Sequence, residues 1–274
     1  MNKLTAIEVK SLLRQRGEAS NKSDYGHALI IAGKKGTMGA AVIAAKAALR
    51  SGVGLLTVHV PTDERTILQT AVPEAMLLMR EENQTNFDHF SAIGVGPGLG
   101  LDKRTEELFA DILTEFKGPF VLDADSITLI SNNEKLLDVV PHKTIITPHI
   151  GEFDRLFGVH QTNDDRMATA ISKAREYKLI IVLKGHHTAI ISEDEVFYNS
   201  TGNAGLAKGG SGDALTGVIT SFLAQGYAPV NAAKLGVYLH GLAADITLQE
   251  QSMESMLITD VIGNFGNAFE LIRA

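Results

Sequence analysis

The segment Gly209-Gly210-Ser211-Gly212-Asp213 is the strongest candidate for chemistry in this chain. Its three glycines and serine precede an apolar stretch with helical spacing, so they lie at the start of a helix predicted over residues 212–225. The first N–H groups of a helix lack partners and carry a partial positive charge, which suits an anion such as phosphate. An acid beside a phosphate is a candidate base for deprotonating an attacking hydroxyl. The segment therefore predicts a phosphate site with Asp213 as its catalytic base.

The same segment also has a purely structural interpretation. Ser211 could cap the helix, and Asp213 could simply complement the helix dipole. A cap requires one such residue, however, and does not explain three glycines, which remove the side chains that would block a phosphate. We therefore favour the phosphate site.

Further polar residues follow other predicted strands. His149 and Glu152 come after an apolar run that ends in Thr147-Pro148; they fit a functional site about as well as an ordinary loop in which Glu152 begins the next helix. Lys184, with the following residues Gly185-His186-His187-Thr188, could offer a cation and a hydroxyl to phosphates, although a lone lysine is usually just solvated. Asp123 and Asp125 form a carboxylate pair at another strand end, and Asp125 fits a plain helix cap.

Several familiar catalytic motifs are missing. Gly33-Lys34 is followed by Lys35 and not by Ser or Thr, so there is no P-loop. The run Gly96-Pro97-Gly98-Leu99-Gly100 lacks the glycine spacing of a dinucleotide fingerprint. Asp213 stands where a nucleophile elbow around Ser211 would need glycine. No His-Glu-x-x-His pair occurs. These observations argue against a serine hydrolase and a zinc enzyme.

Short apolar runs alternate with helical patterns along the chain, which favours a mostly parallel sheet covered on both faces. Ligands of such sheets bind beyond the carboxyl ends of the strands, where three glycine-rich loops lie in this sequence, at 33–39, 94–100 and 202–213. The predicted strands are 27–32, 55–60, 92–95, 120–122, 144–147 and 179–183, with an edge hairpin at 189–192 and 195–199. The predicted helices are 37–51, 103–116, 126–137, 164–177, 212–225, 231–250 and 259–273.

Composition limits the class of protein. The chain has 274 residues and a formal charge of −7. It contains no cysteine, which excludes thiolate metal sites and cysteine nucleophiles. A pI near 5.7 argues against a nucleic-acid-binding protein. No apolar stretch is long enough for a membrane span, and the amino terminus does not resemble a signal peptide. We expect one α/β domain over residues 1–274, located in the cytoplasm, without nucleic-acid or membrane partners.

An ordered set of these motifs resembles the ADP/ATP-dependent NAD(P)H-hydrate dehydratases, which have a ribokinase-like fold. The likeness covers about residues 20 to 250 and is more specific than the Gly-Gly-Ser-Gly-Asp element, which indicates only the wider kinase superfamily. The residues that carry it are Tyr25-Gly26-His27, Gly96-Pro97-Gly98-Leu99-Gly100, Asp123-Ala124-Asp125, Thr147-Pro148-His149 with Gly151-Glu152, Leu183-Lys184-Gly185, and Gly202-Asn203 followed by Gly209-Gly210-Ser211-Gly212-Asp213.

The resemblance implies an α/β/α sandwich and repair of hydrated NADH and NADPH, with ADP or ATP as phosphoryl donor, Mg²⁺ as cofactor and no dedicated protein metal ligands. It implies a homo-oligomer, a tetramer, and an epimerase that acts as a separate partner. By resemblance Asp213 is the catalytic base. The implied nucleotide contacts are Lys184, Gly185, His186, His187, Thr188, Asn203, Gly209, Gly210, Ser211 and Gly212. The implied substrate contacts are Ala40, Gly98, Gly100, His149, Glu152 and Asp213.

Two other functions stay open from the sequence. A vitamin-precursor kinase of the same superfamily would share residues 209–213 yet leave a stable phosphorylated product. A non-catalytic nucleotide sensor is the third possibility, although a pure binder gains nothing from a carboxylate beside an anion. The choice between ADP and ATP, and between the hydrates of NADH and NADPH, is open as well.

Overall fold

The computed structural model describes residues 2–81 and 86–274, and within them ten strands form one sheet. Along the sheet the order is β1-β10-β9-β8-β7-β6-β5-β2-β3-β4. The strands are β1 (Asn2–Lys3), β2 (His27–Ile31), β3 (Leu55–Val60), β4 (Met76–Met79), β5 (Ala92–Val95), β6 (Phe120–Leu122), β7 (Ile145–Ile146), β8 (Ile180–Leu183), β9 (Ala189–Ile191) and β10 (Val196–Tyr198).

Seven consecutive positions of this sheet, from β8 to β4, are occupied by parallel strands. Among the strands of the described residues, only β9 is antiparallel to both of its neighbours, β8 and β10. The carboxyl ends of the parallel strands therefore share one edge, and the loops that follow them meet there.

Helices cover both faces of the sheet. They are α1 (Ala6–Leu12), α2 (Met38–Arg50), α3 (Arg65–Ala71), α4 (Lys103–Glu115), α5 (Asp125–Asn132), α6 (Lys135–Val139), α7 (Ile150–Phe157), α8 (Asn163–Glu176), α9 (Ser211–Ala224), α10 (Pro229–Thr247), α11 (Ile258–Gly263) and α12 (Phe265–Arg273). No helix of the described residues is long and apolar enough to cross a membrane.

The core consists of two apolar clusters, one on each side of the sheet. The central strand β2 contributes to both, because successive side chains of a strand point to opposite faces. Ala28 and Ile30 belong to the cluster formed with α2, α9 and α10, whereas Leu29 and Ile31 belong to the cluster formed with α4, α5 and α8. The structure is thus the three-layer sandwich with a mostly parallel sheet that the sequence predicted.

Helices α2 and α9 pack closely side by side, and a glycine permits this. A Cβ atom at Gly217 would lie 2.1 Å from the carbonyl oxygen of Ala44, so no larger residue fits between the two backbones. The contact brings the amino ends of both helices to the same edge of the sheet.

The predicted strands are confirmed, and the differences from prediction are local. Strands β1 and β4 were not predicted, and β1 pairs with β10, so the β9–β10 hairpin is not the edge of the sheet. The helix predicted over 126–137 is two helices, because the chain leaves helical geometry at Asn133, where φ is −141°. The helix predicted over 259–273 also divides, at Asn264. Helix α10 begins at Pro229, a residue suited to the first helical turn.

Candidate active site

The amino end of α9 presents free backbone N–H groups at the carboxyl edge of the sheet. Gly210 occupies the N-cap position with φ of 94°, and no side chain caps the helix. Ser211 is the first helical residue, so the structural alternative, in which Ser211 caps α9, is wrong. Among the described residues, the N–H groups of Gly212 and Asp213 have no acceptor. These two donors are therefore available to an anion.

Two of the predicted glycines lie in tight surroundings. A Cβ at Gly210 would lie 2.7 Å from Cδ1 of Ile43. A Cβ at Gly212 would lie 3.2 Å from Oδ2 of Asp123 and 3.2 Å from Nζ of Lys184. A side chain at position 212 would thus fill the space between the helix end and the charged pair beneath it.

Asp213 lies in the first turn of α9 and is half-buried. Burial, together with the charges of Asp123 and Asp125, raises the pKa of Asp213 to about 6 against the opposing effect of Lys184. A general base works best when its pKa lies near the operating pH, because it is then deprotonated and still basic. The environment of Asp213 therefore suits the role of base that the sequence predicted.

Asp123 and Lys184 form an ion pair directly below the amino end of α9. Their Oδ1 and Nζ atoms are 2.8 Å apart, and Thr216 Oγ1 donates to the other carboxylate oxygen at 3.0 Å. Although burial opposes ionisation of Asp123, the Lys184 ammonium and the hydrogen bonds of Lys184, Thr147 and Thr216 hold its pKa below the ordinary value. Burial opposes protonation of Lys184 as well, yet Asp123 and Glu152 raise its pKa. The pair is thus ionised, and Lys184 brings a positive charge to the place where a phosphate would bind.

The other predicted nucleotide contacts occupy two turns. Gly185, His186 and His187 are exposed between β8 and β9, and Thr188 Oγ1 donates to the Gly185 carbonyl at 3.4 Å. The side chain of Asn203 already has partners, because Nδ2 donates to Asp245 at 3.0 Å and Oδ1 accepts from the Gly205 N–H at 3.0 Å. Contact of these residues with a nucleotide stays a prediction.

His149 and Glu152 form a reciprocal cap at the start of α7. His149 Nδ1 accepts from the Gly151 N–H at 3.0 Å, and Glu152 Oε2 accepts from the His149 N–H at 2.8 Å. Glu152 is buried and its Oε2 lies 3.9 Å from Lys184 Nζ, whereas the His149 side chain is 57% exposed. Glu152 therefore begins the helix, as the structural interpretation held, and it also adds negative charge beside Lys184. Contact of either residue with substrate is not tested by this geometry.

Ala40, Gly98 and Gly100 lie where the loops after β2 and β5 are joined. Thr37 Oγ1 donates to the Gly98 carbonyl at 2.7 Å, and a Cβ at Gly98 would lie 3.1 Å from that of Ala40. The Gly100 N–H donates to Asp125 Oδ2 at 2.7 Å. Asp125 was expected to cap α5, but Ala124 occupies the N-cap position and Asp125 holds the neighbouring loop.

Each group of predicted residues follows a different strand of the parallel edge. Lys184 follows β8, His149 follows β7, Asp123 follows β6, Gly98 follows β5 and Ala40 follows β2, in the order of those strands in the sheet. The fold therefore brings the residues predicted from scattered motifs into one row, with the amino end of α9 beside it.

Comparison with known proteins identifies the family to which the chain belongs. The family model described as NAD(P)H-hydrate dehydratase matches residues 28–265. The chain belongs to the NAD(P)H-hydrate dehydratase family. It is 35% identical to an ADP-dependent (S)-NAD(P)H-hydrate dehydratase of Listeria monocytogenes, and the match covers 92% of this chain and 91% of that protein.

Two further proteins of this family are similar to the chain. A bifunctional NAD(P)H-hydrate repair enzyme of Moorella thermoacetica is 34% identical over 94% of this chain, which spans 52% of that longer protein. The chain thus spans about half the length of the bifunctional relatives that it matches. The crystal structure of an ADP/ATP-dependent NAD(P)H-hydrate dehydratase from Bacillus subtilis, co-crystallised with ATP/Mg²⁺, superposes with a TM-score of 0.88 at 30% identity, covering 99% of this chain and 98% of that one.

In this member of the dehydratase family, the structure adds residues that sequence reasoning missed. Thr216 lies one turn beyond Asp213 and, although fully buried, donates to the Asp123 carboxylate. Thr147 also contributes a side-chain hydrogen bond that lowers the pKa of Asp123. A buried threonine in an apolar helix was the one signal available, because a buried hydroxyl needs a partner.

Proposed function

We propose that this protein uses ADP or ATP to dehydrate hydrated NADH and NADPH, which restores the reduced cofactor. The observation that supports this function best is Asp213, a half-buried carboxylate in the first turn of α9 beside two free N–H donors. Family membership supplies the substrate class, because the Listeria relative is named for the same activity.

The proposed reaction has two stages. Asp213 takes the proton of the 6-hydroxyl as the hydroxyl oxygen attacks the terminal phosphorus of the nucleotide, whose bond to the leaving nucleotide oxygen breaks. The phosphorylated intermediate then loses a proton from C5 as its C6–O bond breaks, which releases phosphate and restores the C5=C6 double bond. Phosphate leaves far more readily than hydroxide, so phosphorylation turns a difficult loss of water into an easy elimination.

Electrostatic stabilisation of the transferring group is the main contribution of the protein in phosphoryl transfer. The free N–H groups at the amino end of α9 and the Lys184 ammonium would face the negative charge on that group. Removing a single preorganised donor of this kind typically costs about 2.7–4 kcal/mol in the transition state. We therefore expect the helix end to supply much of the rate enhancement.

Mg²⁺ fits this site as an ion held by the nucleotide and not by a protein cage. No cluster of three or more His, Asp or Glu side chains that could hold a metal occurs within the described residues. Mg²⁺ commonly keeps several waters and binds substrate phosphates with few carboxylates. The residues around Gly212 and Lys184 would hold the phosphates that carry the ion, and the ion would neutralise their charge.

A vitamin-precursor kinase is the alternative that the geometry of α9 also permits, since the helix end and the acid would serve it equally. The products separate the two functions. A kinase leaves a stable phosphorylated product, whereas the dehydratase releases free phosphate and reduced cofactor.

The proposed function is tested by supplying hydrated NADH or NADPH together with Mg²⁺ and either ADP or ATP. We expect absorbance of the reduced nicotinamide to rise while free phosphate appears in equal amount. A phosphorylated product detected by mass spectrometry without a rise in absorbance would favour the kinase. No reaction with either donor would refute the dehydratase and leave the vitamin-precursor kinase and the nucleotide sensor.

Further proposals concern the phosphoryl donor, the functional partner, the assembly and the location of this protein. We propose ADP as the physiological donor, because the Listeria relative is named as ADP-dependent. The bifunctional relatives support an epimerase as the functional partner. A tetrameric assembly stays a prediction from family resemblance, and a cytoplasmic location stays a prediction from the sequence.

A further inference from the structure

A second cavity lies on the same edge of the sheet as the candidate active site. It has a volume of about 430 Å³ and is lined by residues that follow β2, β3, β4 and β5, among them Lys34, Pro61, Arg80 and Leu99. Its volume falls in the range of small-molecule sites, which is about 300–1,000 Å³. None of the residues assigned to the proposed phosphoryl transfer lines this cavity.

The cavity is continuous with the loop that holds the candidate substrate contacts. Gly100 donates its N–H to Asp125, whose charge acts on Asp213. On its other side, a Cβ at Gly100 would lie 3.5 Å from Nζ of Lys34. Lys34 therefore lies between the site residue Gly100 and the cavity.

The floor of the cavity contains a cation without an ion-pair partner among the described residues. The Arg80 guanidinium donates to the carbonyl oxygens of Ala32 at 3.2 Å, Gly33 at 3.1 Å and His59 at 3.0 Å. Its Nε atom is buried and has no acceptor within the described part of the chain. Burial lowers the pKa of Arg80 to about 10, although Glu81 and Asp102 oppose the shift. Because charges without close partners are costly to bury, this arginine favours an anion in the cavity.

Two exposed cations complete the positive part of the lining. Within the described residues, neither the Lys34 ammonium nor the Arg104 guanidinium has a hydrogen bond or an ion pair, so both can reach a ligand. The lining also includes four carboxylates, Glu81, Asp102, Glu107 and Asp111.

Three of these carboxylates already have partners. Glu81 accepts from Thr62, Asp102 accepts from Thr105, and Glu107 lies 3.8 Å from Lys103. Carboxylates suit ribose hydroxyls, whereas lysine and arginine suit phosphates, and a nucleotide carries both groups.

We propose that this cavity binds the adenosine half of the hydrated dinucleotide, with Lys34 and Arg104 contacting its phosphates. The proposal rests on the proposed dehydratase function. With the nicotinamide ring at Asp213, the second nucleotide must extend along the edge of the sheet. The direction toward β7 and β8 leads to Lys184 and the proposed phosphoryl donor, so the free direction leads past Gly100 to the cavity.

The dimensions agree with this direction. In the sheet, β3 lies three positions from β6, the strand that precedes Asp123. At a strand spacing of about 4.8 Å, the cavity lies roughly 14 Å from the reacting group. A site at this distance would hold the far end of a dinucleotide and leave a mononucleotide out of reach.

The test compares two substrates in the intact protein. Lys34→Gln and Arg104→Gln replace exposed side chains, so both variants are expected to fold. With hydrated NADH or NADPH we expect KM to rise about tenfold or more for each variant, as expected for the loss of a charged hydrogen bond. With the hydrate of reduced nicotinamide mononucleotide, which lacks the adenosine half, we expect wild type and variants to agree within twofold. Lys35→Gln removes a neighbouring exposed charge outside the lining and serves as the matched control.

The outcomes separate this proposal from the proposed function. If the wild-type protein restores no reduced cofactor, the dehydratase function is wrong. If it does so but the two variants leave KM for the dinucleotides unchanged, or raise KM equally for the mononucleotide hydrate, the cavity does not bind the adenosine half. An effect confined to the dinucleotides supports the proposal.

Discussion

Asp123 and Lys184 meet at 2.8 Å beneath Gly212, so the proposed phosphate site lies above an ion pair whose carboxylate is buried. The pair brings together the loops after β6 and β8, and Thr216 connects it to α9. Lys184 thereby keeps a fixed position and a fixed charge next to Asp213. The carboxylate of Asp123 meanwhile raises the pKa of Asp213, which keeps that residue basic enough to act near neutral pH.

The first prediction concerns the base. Asp213→Asn keeps the shape of the side chain but cannot accept the hydroxyl proton, so kcat should fall by about 10²–10⁴-fold. Binding of ADP should change by less than tenfold, because the amino end of α9 remains. Steady-state kinetics and calorimetric titration with ADP measure the two effects separately. Normal turnover of this variant would rule out Asp213 as the base.

The second prediction concerns pH and activity. The base must be deprotonated, and the pKa of Asp213 is raised to about 6, so kcat/KM should rise with pH and level off above that value. The acidic limb should have a slope of one, since a single group titrates. The pH–rate profile with hydrated NADH tests this, and an acidic limb retained in Asp213→Asn at its residual rate would assign the limb to another group.

The third prediction follows from the same shift and concerns stability. An aspartate whose pKa is raised from 3.8 to about 6 in the folded protein binds its proton more tightly when folded, so folding stability decreases as pH rises through that interval. Asp213→Asn removes this penalty and should stabilise the protein at pH 7.5 by at most about 3 kcal/mol. The gain should vanish at about pH 3 and below, where the wild-type carboxyl is largely protonated in both states.

Denaturant unfolding at pH 7.5 and at about pH 3 measures the difference in the free energy of unfolding between the wild type and Asp213→Asn. A variant that is less stable at pH 7.5, or equally stabilised at both values, would contradict the assigned pKa. A gain in stability together with a loss of activity would identify Asp213 as a residue kept for function at the expense of stability.

The fourth prediction concerns the ion pair. Asp123→Asn removes the closest carboxylate from the Lys184 ammonium and should lower the free energy of unfolding. The loss should be smaller than the about 3–5 kcal/mol typical of a fully buried pair, because the Lys184 side chain is 22% exposed and Glu152 remains 3.9 Å away. The double variant Asp123→Asn with Lys184→Met removes the charge as well and should be more stable than Asp123→Asn alone. Urea titrations of the single and double variants give the coupling, and strictly additive losses would show that the pair contributes no mutual stabilisation.

The sequence predicted the parallel strands well because their Val, Ile and Leu runs are short, buried and bounded by helical patterns. Strand β4 escaped prediction because Met76 is exposed and its sequence, Met76–Met79, is short and equally compatible with a helix. Strand β1 has only two residues and exists because β10 offers it a free edge. Neither strand could be recognised without its partner.

In the candidate site, the residue types could be predicted from the sequence, but their hydrogen-bond and ion-pair partners could not. Asp123 and Asp125 look equivalent in the sequence, yet one pairs with a lysine 61 residues away and the other holds the Gly100 backbone. The difference arises at Ala124, where φ of 49° turns the chain in a way that no local pattern indicates. Tertiary contacts of this kind decide which of two neighbouring carboxylates is buried.

The last prediction tests whether the space above the ion pair belongs to a phosphate. Gly212→Ala places a Cβ 3.2 Å from both Asp123 Oδ2 and Lys184 Nζ, in the gap between the pair and the free N–H groups. We expect ADP affinity to fall at least about tenfold, because a phosphate in this gap would lose its close approach to the backbone. Gly263→Ala is the matched control, since its Cβ would have no neighbour within 4 Å and lies at the end of α11. Calorimetric titration with ADP compares the two variants, and unchanged affinity in Gly212→Ala would place the phosphates elsewhere along the edge of the sheet.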